Sequence, residues 1–127
     1  MFETRTDIVI RGALNGMATR HRAFADAVAN AETPDFVPKT VEFEEQLRTV
    51  RDAMLADPLN ANAASQPPFP LTPKESVQTE GRADGNKLSI DQQVVEMEIN
   101  KLSYQALTQA ARMRDEILHS AITESPR

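Results

Sequence analysis

Cysteine and tryptophan are both missing from this chain of 127 residues, and tyrosine occurs only once. The missing cysteine excludes disulfide bonds, thiolate metal ligands and cysteine nucleophiles. Aromatic residues make up only 5% of the sequence, and the large apolar residues lie mostly towards its two ends. Because a chain of this length normally buries about two thirds of its unfolded surface, this distribution argues against one compact core.

The sequence also lacks an excess of positive charge and long apolar runs. It has 14 basic against 19 acidic residues, for a net charge of −5, and no basic cluster that would neutralise phosphates. We therefore expect no nucleic-acid partner. No run approaches the ~20 apolar residues that span a bilayer, so no direct membrane insertion is expected. The start of the chain lacks the apolar core of a cleaved signal peptide, so export would use another route.

The N-terminal third predicts a long helix from about Thr6 to Ala31. Its apolar residues recur in alternating steps of four and three, which is a heptad seam. The helix should end by Glu32, because Pro34 disfavours helical geometry at the residue before it and suits a tight turn with Asp35. The seam has one polar member, His21, and consists of Ile10, Leu14, Met17, His21, Phe24, Val28 and Ala31.

The middle of the chain predicts a short helix followed by a long irregular segment. An amphipathic stretch runs from Val41 to about Leu55, with Phe43 and Leu47 at the start of its apolar stripe. Six of the eight prolines lie after residue 57, five of them before residue 74. Prolines exclude regular helix, so we expect residues 57–87 to form a Pro-rich loop.

The C-terminal segment predicts the longest helix, running to about Ile122. Ser89 and Gln92 fit a capping box as N-cap and third residue. The helix carries two apolar stripes, and a single partner helix can cover only one of them. The first stripe is Val95, Ile99, Leu102, Ala106, Met113 and Ile117. The second is Ile90, Val94, Met97, Tyr104, Ala111, Leu118 and Ile122.

These patterns predict an all-α fold in which two long terminal helices pair as a coiled-coil-like hairpin. The expected parts are an N-terminal helix (1–33), a turn and shorter third helix (34–56), the Pro-rich loop (57–87) and a C-terminal helix (88–127). Both ends would form one inner-core domain. Ordering the backbone of a residue costs about 1–2 kcal/mol of conformational entropy. A lone hairpin buries few large apolar side chains to offset this cost, so its free energy of unfolding should be small. The helices should complete their burial against other protein.

Candidate chemistry is sparse. His21 in a seam more often sets register than binds metal. Glu116 and His119 have the spacing of half a di-iron site, without the second half. The acids Glu42, Glu44 and Glu45 suit a helix start better than an acid pair. We therefore expect neither an enzyme nor a catalytic, metal or cofactor site.

Two motifs resemble the bacterial flagellar rod, hook and related axial proteins. The first is Asn30-Ala31-Glu32-Thr33-Pro34 at the end of the N-terminal helix. It departs from the family pattern, which has Asn at Ala27, Gly at Asp35, Tyr at Phe36 and Lys at Val37. The second motif resembles the C-terminal helix of proximal rod proteins of that family. It comprises Gly85-Asn86, Leu88, Ile90-Asp91, Val94, Met97, Asn100, Leu102 and Tyr104-Gln105-Ala106-Leu107.

The resemblance implies a structural subunit of the flagellar basal-body rod, a coiled-coil component of the motility apparatus. Such a subunit would leave the cell by flagellar type III export without a cleaved signal peptide and assemble in the periplasm as a torque-transmitting hollow shaft. Its implied partners are itself in a helical assembly, FlgC-like rod proteins, the FliE adaptor, and the MS-ring and export gate. Another rod or junction subunit, or a helical export adaptor or chaperone, remains the alternative.

The stripes and motifs together nominate partner-binding residues along both terminal helices and the turn. They are Ile10, Leu14, Met17, His21, Phe24, Val28, Asn30, Thr33, Pro34, Val95, Ile99, Leu102, Tyr104, Leu107, Met113, Ile117 and Leu118.

Overall fold

The computed structural model describes residues 4–56, 74–75 and 90–123, with the backbone alone at Arg5, Lys74 and Glu75. These residues are mostly helical, which confirms the all-α prediction. Helix α1 spans Arg5–Ala29, α2 spans Glu44–Ala56 and α3 spans Ile90–Thr123. Most of the predicted Pro-rich loop lies outside the described residues, as does the predicted N-cap Ser89.

A small antiparallel pair of strands joins the segment before α2 to a segment within the predicted loop. Strand β1 is Lys39–Thr40 and β2 is Lys74–Glu75, with Lys39 opposite Glu75 and Thr40 opposite Lys74. Strand β2 lies within residues 57–87, where a Pro-rich loop is predicted, and is a difference from that prediction. Its two residues hold no apolar pattern in the sequence, so hydrophobic periodicity gives no sign of the strand.

Helix α1 starts earlier and ends earlier than predicted. Thr4 is its N-cap in a capping box with Asp7, where the Thr4 hydroxyl accepts from the Asp7 backbone N–H and the Asp7 carboxylate accepts from the Thr4 N–H. Asn30 is the C-cap of the helix, and its side-chain amide donates to the Asp26 carbonyl at 2.8 Å. Pro34 lies four residues beyond this cap.

The turn after α1 contains a left-handed residue, Asp35, with φ of 60°. The left-handed conformation costs a non-glycine residue about 1–2 kcal/mol, although aspartate adopts it more readily than most residues. This is the position at which the family pattern has glycine.

Replacing Asp35 by glycine is therefore expected to raise the free energy of unfolding by about 0.5 kcal/mol, because the relieved strain exceeds the entropic cost of glycine. Asp35→Ala should lower it, since alanine keeps the Cβ and loses the short polar side chain. Urea unfolding of both variants checks this. A destabilised Asp35→Gly protein would contradict it.

The start of α2 differs from the prediction in a way that creates the core. The amphipathic stretch was expected to be helical from Val41, but α2 begins only at Glu44. Phe43 takes the N-cap position, with its carbonyl accepting from the Leu47 N–H at 2.9 Å. Val41 and Phe43 thus lie in extended chain, and they are 1% and 2% exposed. They pack with Ala13 and Ala23 of α1, and with Leu107 of α3 at the edge.

Helices α1 and α3 pair in opposite directions. Ile90, at the start of α3, packs against Ala27 and Ala31 at the end of α1. At the other end of the pair, Arg114 contacts Thr4 and Asp7. The two terminal helices therefore form an antiparallel hairpin, with α2 and the extended segment packed on α1.

The most buried face of α1 is not the predicted heptad seam. The seam residues Ile10 to Val28 are only half-buried, whereas the buried positions carry small side chains apart from Ile8. Small residues let the segment around Val41 and Phe43 approach the α1 backbone closely, which a bulkier face would prevent. The buried positions of α1 are Ile8, Gly12, Ala13, Gly16, Ala23 and Ala27.

Candidate interaction surface

Helix α3 exposes a line of large apolar side chains along its outer side. We define the outer stripe as Val95, Ile99, Leu102, Ala106, Met113 and Ile117, the first stripe predicted from the sequence. Its five large members are all more than half exposed: Val95 57%, Ile99 53%, Leu102 62%, Met113 54% and Ile117 68%. Large apolar residues at regular helical spacing on one face are typical of an interface rather than of a free surface.

The opposite face of α3 holds the hairpin together. Gln93 and Asn100 are buried there, at 8% and 6% exposed, and Ile90, Met97 and Leu107 are half-buried. At about 100° per residue, the centre of this face lies roughly 150° around the helix from the outer stripe. Helix α1 therefore cannot cover the outer stripe while it holds the inner face.

The hairpin interface contains polar residues at heptad spacing on α3. The Asn100 side-chain amide donates to the Met17 carbonyl of α1 at 2.9 Å. The Gln93 amide makes no hydrogen bond within the described part of the chain. Polar residues at such positions set the register of paired helices at a cost in stability. The hairpin is consequently specific in register but weaker than an all-apolar pair.

The second predicted stripe divides between the hairpin and solvent. Ile90, Met97 and Ala111 are half-buried, while Tyr104 and Leu118 are 40% and 43% exposed. Tyr104 lies beside a groove between α1 and α3 that is also lined by Met17, His21, Arg22 and Lys101.

Asn30, Thr33 and Pro34, also predicted to bind a partner, form the turn after α1. Besides capping the helix, Asn30 accepts at its carbonyl from the Thr33 N–H at 2.9 Å. The Thr33 hydroxyl lies 3.3 Å from the Asn30 side-chain oxygen. The motif therefore has a local structural role in the described residues, and its contact with a partner stays a prediction.

A contact that the sequence analysis missed links α1 to the start of α2. The Arg20 guanidinium donates to the Val41 carbonyl at 2.9 and 2.7 Å and to the Glu44 carboxylate at 2.7 Å. It also lies over the Phe43 ring, 4.4 Å from the centroid, where the cation and the π system attract. The ring rests on Gly16. The signal available in the sequence was the spacing of four between Gly12 and Gly16, which marks a close helix approach.

Glu44 is the ionised partner in this contact. Its burial alone would raise the pKa of the carboxyl. The Arg20 hydrogen bond outweighs that effect, together with backbone hydrogen bonds from Glu44 and Phe43 and the Arg20 charge, so the pKa is lowered.

The start of α1 is held by α3 through a second ionic contact. Arg114 donates to the Asp7 carboxylate and, at 2.6 Å, to the Thr4 hydroxyl. Hydrogen bonds from the side chain and backbone of Thr4 lower the pKa of Asp7, with Arg114 adding to the effect and slight burial opposing it. Arg114 thus connects the capping box at the start of α1 to α3.

We expect the helical hairpin to lose stability as the pH falls below about 4. A carboxyl whose pKa is lowered by folding stabilises the folded state above its unfolded pKa, and this stabilisation is lost as the pH falls through the folded value. Circular dichroism melts between pH 6 and pH 3 measure the effect. Asp7→Asn should flatten the profile. Identical profiles for the variant and the parent protein would contradict the role assigned to Asp7.

Other kinds of site find no support among the described residues. Within residues 4–56 and 90–123, no group of three or more His, Asp or Glu side chains is placed to hold a metal ion. None of the helices described here is both long and apolar enough to cross a bilayer. No protein-family model matches the chain, and no curated protein matches it in sequence.

Proposed function

We propose that this chain is a structural subunit of the proximal rod of the bacterial flagellar basal body, of the FlgB type. The observation that carries the proposal is the outer stripe of α3, which a hairpin of two helices leaves exposed. The first sequence motif that resembles the flagellar axial family lies at the end of α1, and the second lies along α3 from Ile90 onwards, its earlier residues falling outside the described part of the chain.

The outer stripe supports an assembling protein over a self-contained one. Covering a large apolar side chain that is half exposed contributes on the order of 1 kcal/mol, so the five large residues contribute about 5 kcal/mol per interface. An interface between two different faces, repeated without closing, produces a filament or tube. In a hollow shaft such contacts would lie along and between subunits, and the role of the chain would be mechanical rather than enzymatic.

The polar hairpin interface supports the export step of the same proposal. A subunit that passes through the flagellar export channel has to unfold readily, and the buried amides of Gln93 and Asn100 make the α1–α3 pair easier to open than an apolar seam. In the rod, the paired helices would serve as the coiled-coil-like inner domain. Its neighbours would be further copies, FlgC-like rod proteins, the FliE adaptor, and the MS-ring and export gate on the periplasmic side.

Purified basal bodies provide the direct test. A tagged version of the chain should copurify with the rod after the hook and filament are removed, and it should lie at the membrane-proximal end. Deleting its gene should abolish motility and rod formation. Recovery of the protein only in the cytoplasm, bound to an export substrate, would replace the rod proposal with the adaptor or chaperone alternative. A position further along the rod would identify another rod or junction subunit.

A further inference from the structure

We propose that two copies of this chain pack their outer stripes together, with the two α3 helices antiparallel, to form a symmetric dimer. The second copy in this dimer is a partner in addition to the rod neighbours proposed above. A second copy is favoured because the apolar and charged residues of the stripe complement themselves when the helix is reversed.

The apolar positions of α3 match in this arrangement. The stripe follows steps of four and three through Val95, Ile99, Leu102, Ala106, Gln109 and Met113. In an antiparallel pair centred near residue 104, each residue of one helix lies opposite the residue equally far from that centre in the other helix, so the numbers of the two add to about 208. Val95 then meets Met113 of the second copy, and Leu102 meets Ala106. In each of these layers the shorter side chain, Val95 or Ala106, faces the longer one, Met113 or Leu102, which packs well.

The third layer places Ile99 against Gln109, the one polar member of the series. By helical phase, the Gln109 amide lies towards the flank that carries Glu98. Its methylene groups can therefore cover Ile99 while the amide reaches water.

Charge selects the antiparallel direction. Glu98 and Arg112 lie on the same flank of the stripe, and antiparallel helices bring the same flanks together. Each Glu98 therefore lies near Arg112 of the other copy, which gives two ion pairs per dimer. In a parallel pair the opposite flanks would meet, so Arg112 would face Ile117 and Glu98 would face Ser103. Within the described part of the free chain, Glu98 pairs with the exposed Lys101, at 3.3 Å.

A dimer of this kind closes on itself. Both copies use the same face, so the part of the outer stripe from Val95 to Met113 is covered and is closed to a third copy. The dimer stands without the proposed rod function. If that function holds as well, the dimer is a resting form that has to open before the stripe can join a growing shaft.

Cysteine substitution tests the direction of pairing cleanly, because the chain has no cysteine of its own. Gln105 lies close to the predicted two-fold axis, so purified full-length Gln105→Cys should form a disulfide-linked dimer on mild oxidation. Val95→Cys alone should not, because its counterpart is Met113. Crosslinking of Val95→Cys with itself would overturn the antiparallel proposal, as would a monomeric parent protein in sedimentation equilibrium.

A charge exchange tests the ion pairs. Glu98→Arg should raise the dimer dissociation constant about tenfold, because it replaces two exposed ion pairs by contacts between like charges. The double variant Glu98→Arg with Arg112→Glu should restore it. Asp52→Arg on α2 makes the same charge change away from the stripe and should leave dimerisation unchanged. Circular dichroism on every variant verifies that the helices are intact. Equal dissociation constants for the parent, single and double variants would overturn the charge argument.

Discussion

Leu102→Asp is expected to abolish assembly and motility while leaving the folded hairpin and its export intact. Leu102 lies in the middle of the outer stripe and is 62% exposed. An exposed position tolerates a charge in the free chain, so the free energy of unfolding should change by no more than about 0.5 kcal/mol. Burying the same carboxylate in an apolar interface without a partner costs several kcal/mol, which is more than the interface gains at that point.

The measurement is a motility assay combined with detection of the exported protein and circular dichroism on the purified variant. Gln46→Asp, an acid substitution at another exposed position, on α2, is the matched control and should remain motile. A motile strain carrying Leu102→Asp would contradict the assignment of the outer stripe as the assembly surface.

Phe24→Asp provides a useful contrast. Phe24 also belongs to a predicted apolar stripe, but it is half-buried within the folded chain. Its substitution should abolish motility as well, and it should also lower the helical stability of the monomer. The difference between the two variants separates damage to the subunit from damage to the interface.

Gly16→Ala is expected to destabilise the protein by about 2 kcal/mol, although alanine is the better helix former. A Cβ at Gly16 would lie 2.4 to 2.7 Å from carbons of the Phe43 ring, far inside van der Waals contact. The ring has little room to move, because Phe43 is 2% exposed and Arg20 lies over its face. The overpacking penalty should therefore exceed the gain in helix propensity of up to about 1 kcal/mol.

Urea unfolding measures this effect, with Asn15→Ala as the matched control. Asn15 is exposed and adjacent in the same helix, so alanine there should stabilise slightly. A double-mutant cycle with Phe43→Ala gives the sharper test. Once the ring is gone, Gly16→Ala should no longer destabilise, which appears as a large coupling energy between the two sites. A Gly16→Ala protein as stable as the parent would show that the ring can shift aside.

The close contact at Gly16 explains why the predicted heptad seam is not the most buried face of α1. Periodicity of large apolar residues marks the seam from Ile10 to Val28, and these residues are indeed half-buried. The tightest packing uses glycine and alanine, whose small transfer free energy gives almost no signal in a hydrophobic pattern. Only the fold shows that Val41 and Phe43 fill the space those small residues leave.

The inner face of α3 was hidden for a related reason. Gln93, Asn100 and Arg114 occupy heptad positions facing α1, but as polar residues they do not count towards an apolar stripe. Both side chains reach groups far away in the chain: Asn100 donates to the Met17 carbonyl, and Arg114 donates to the Thr4–Asp7 capping box. A long-range partner of this kind cannot be read from local spacing.

What the sequence determined by itself was the local architecture: the existence of the three helices, the approximate ends of α3 and the outer stripe along it. Helix propensity, helix capping and the spacing of apolar residues depend only on residues within a few helical turns of one another. These features can therefore be read directly from the sequence. Tertiary structure alone decided which face of α1 is most buried, that Val41 and Phe43 leave the helix to build the core, and that Arg20 and Arg114 hold the pieces together. Those outcomes depend on shape and charge across dozens of residues, and only packing brings such residues within reach of one another.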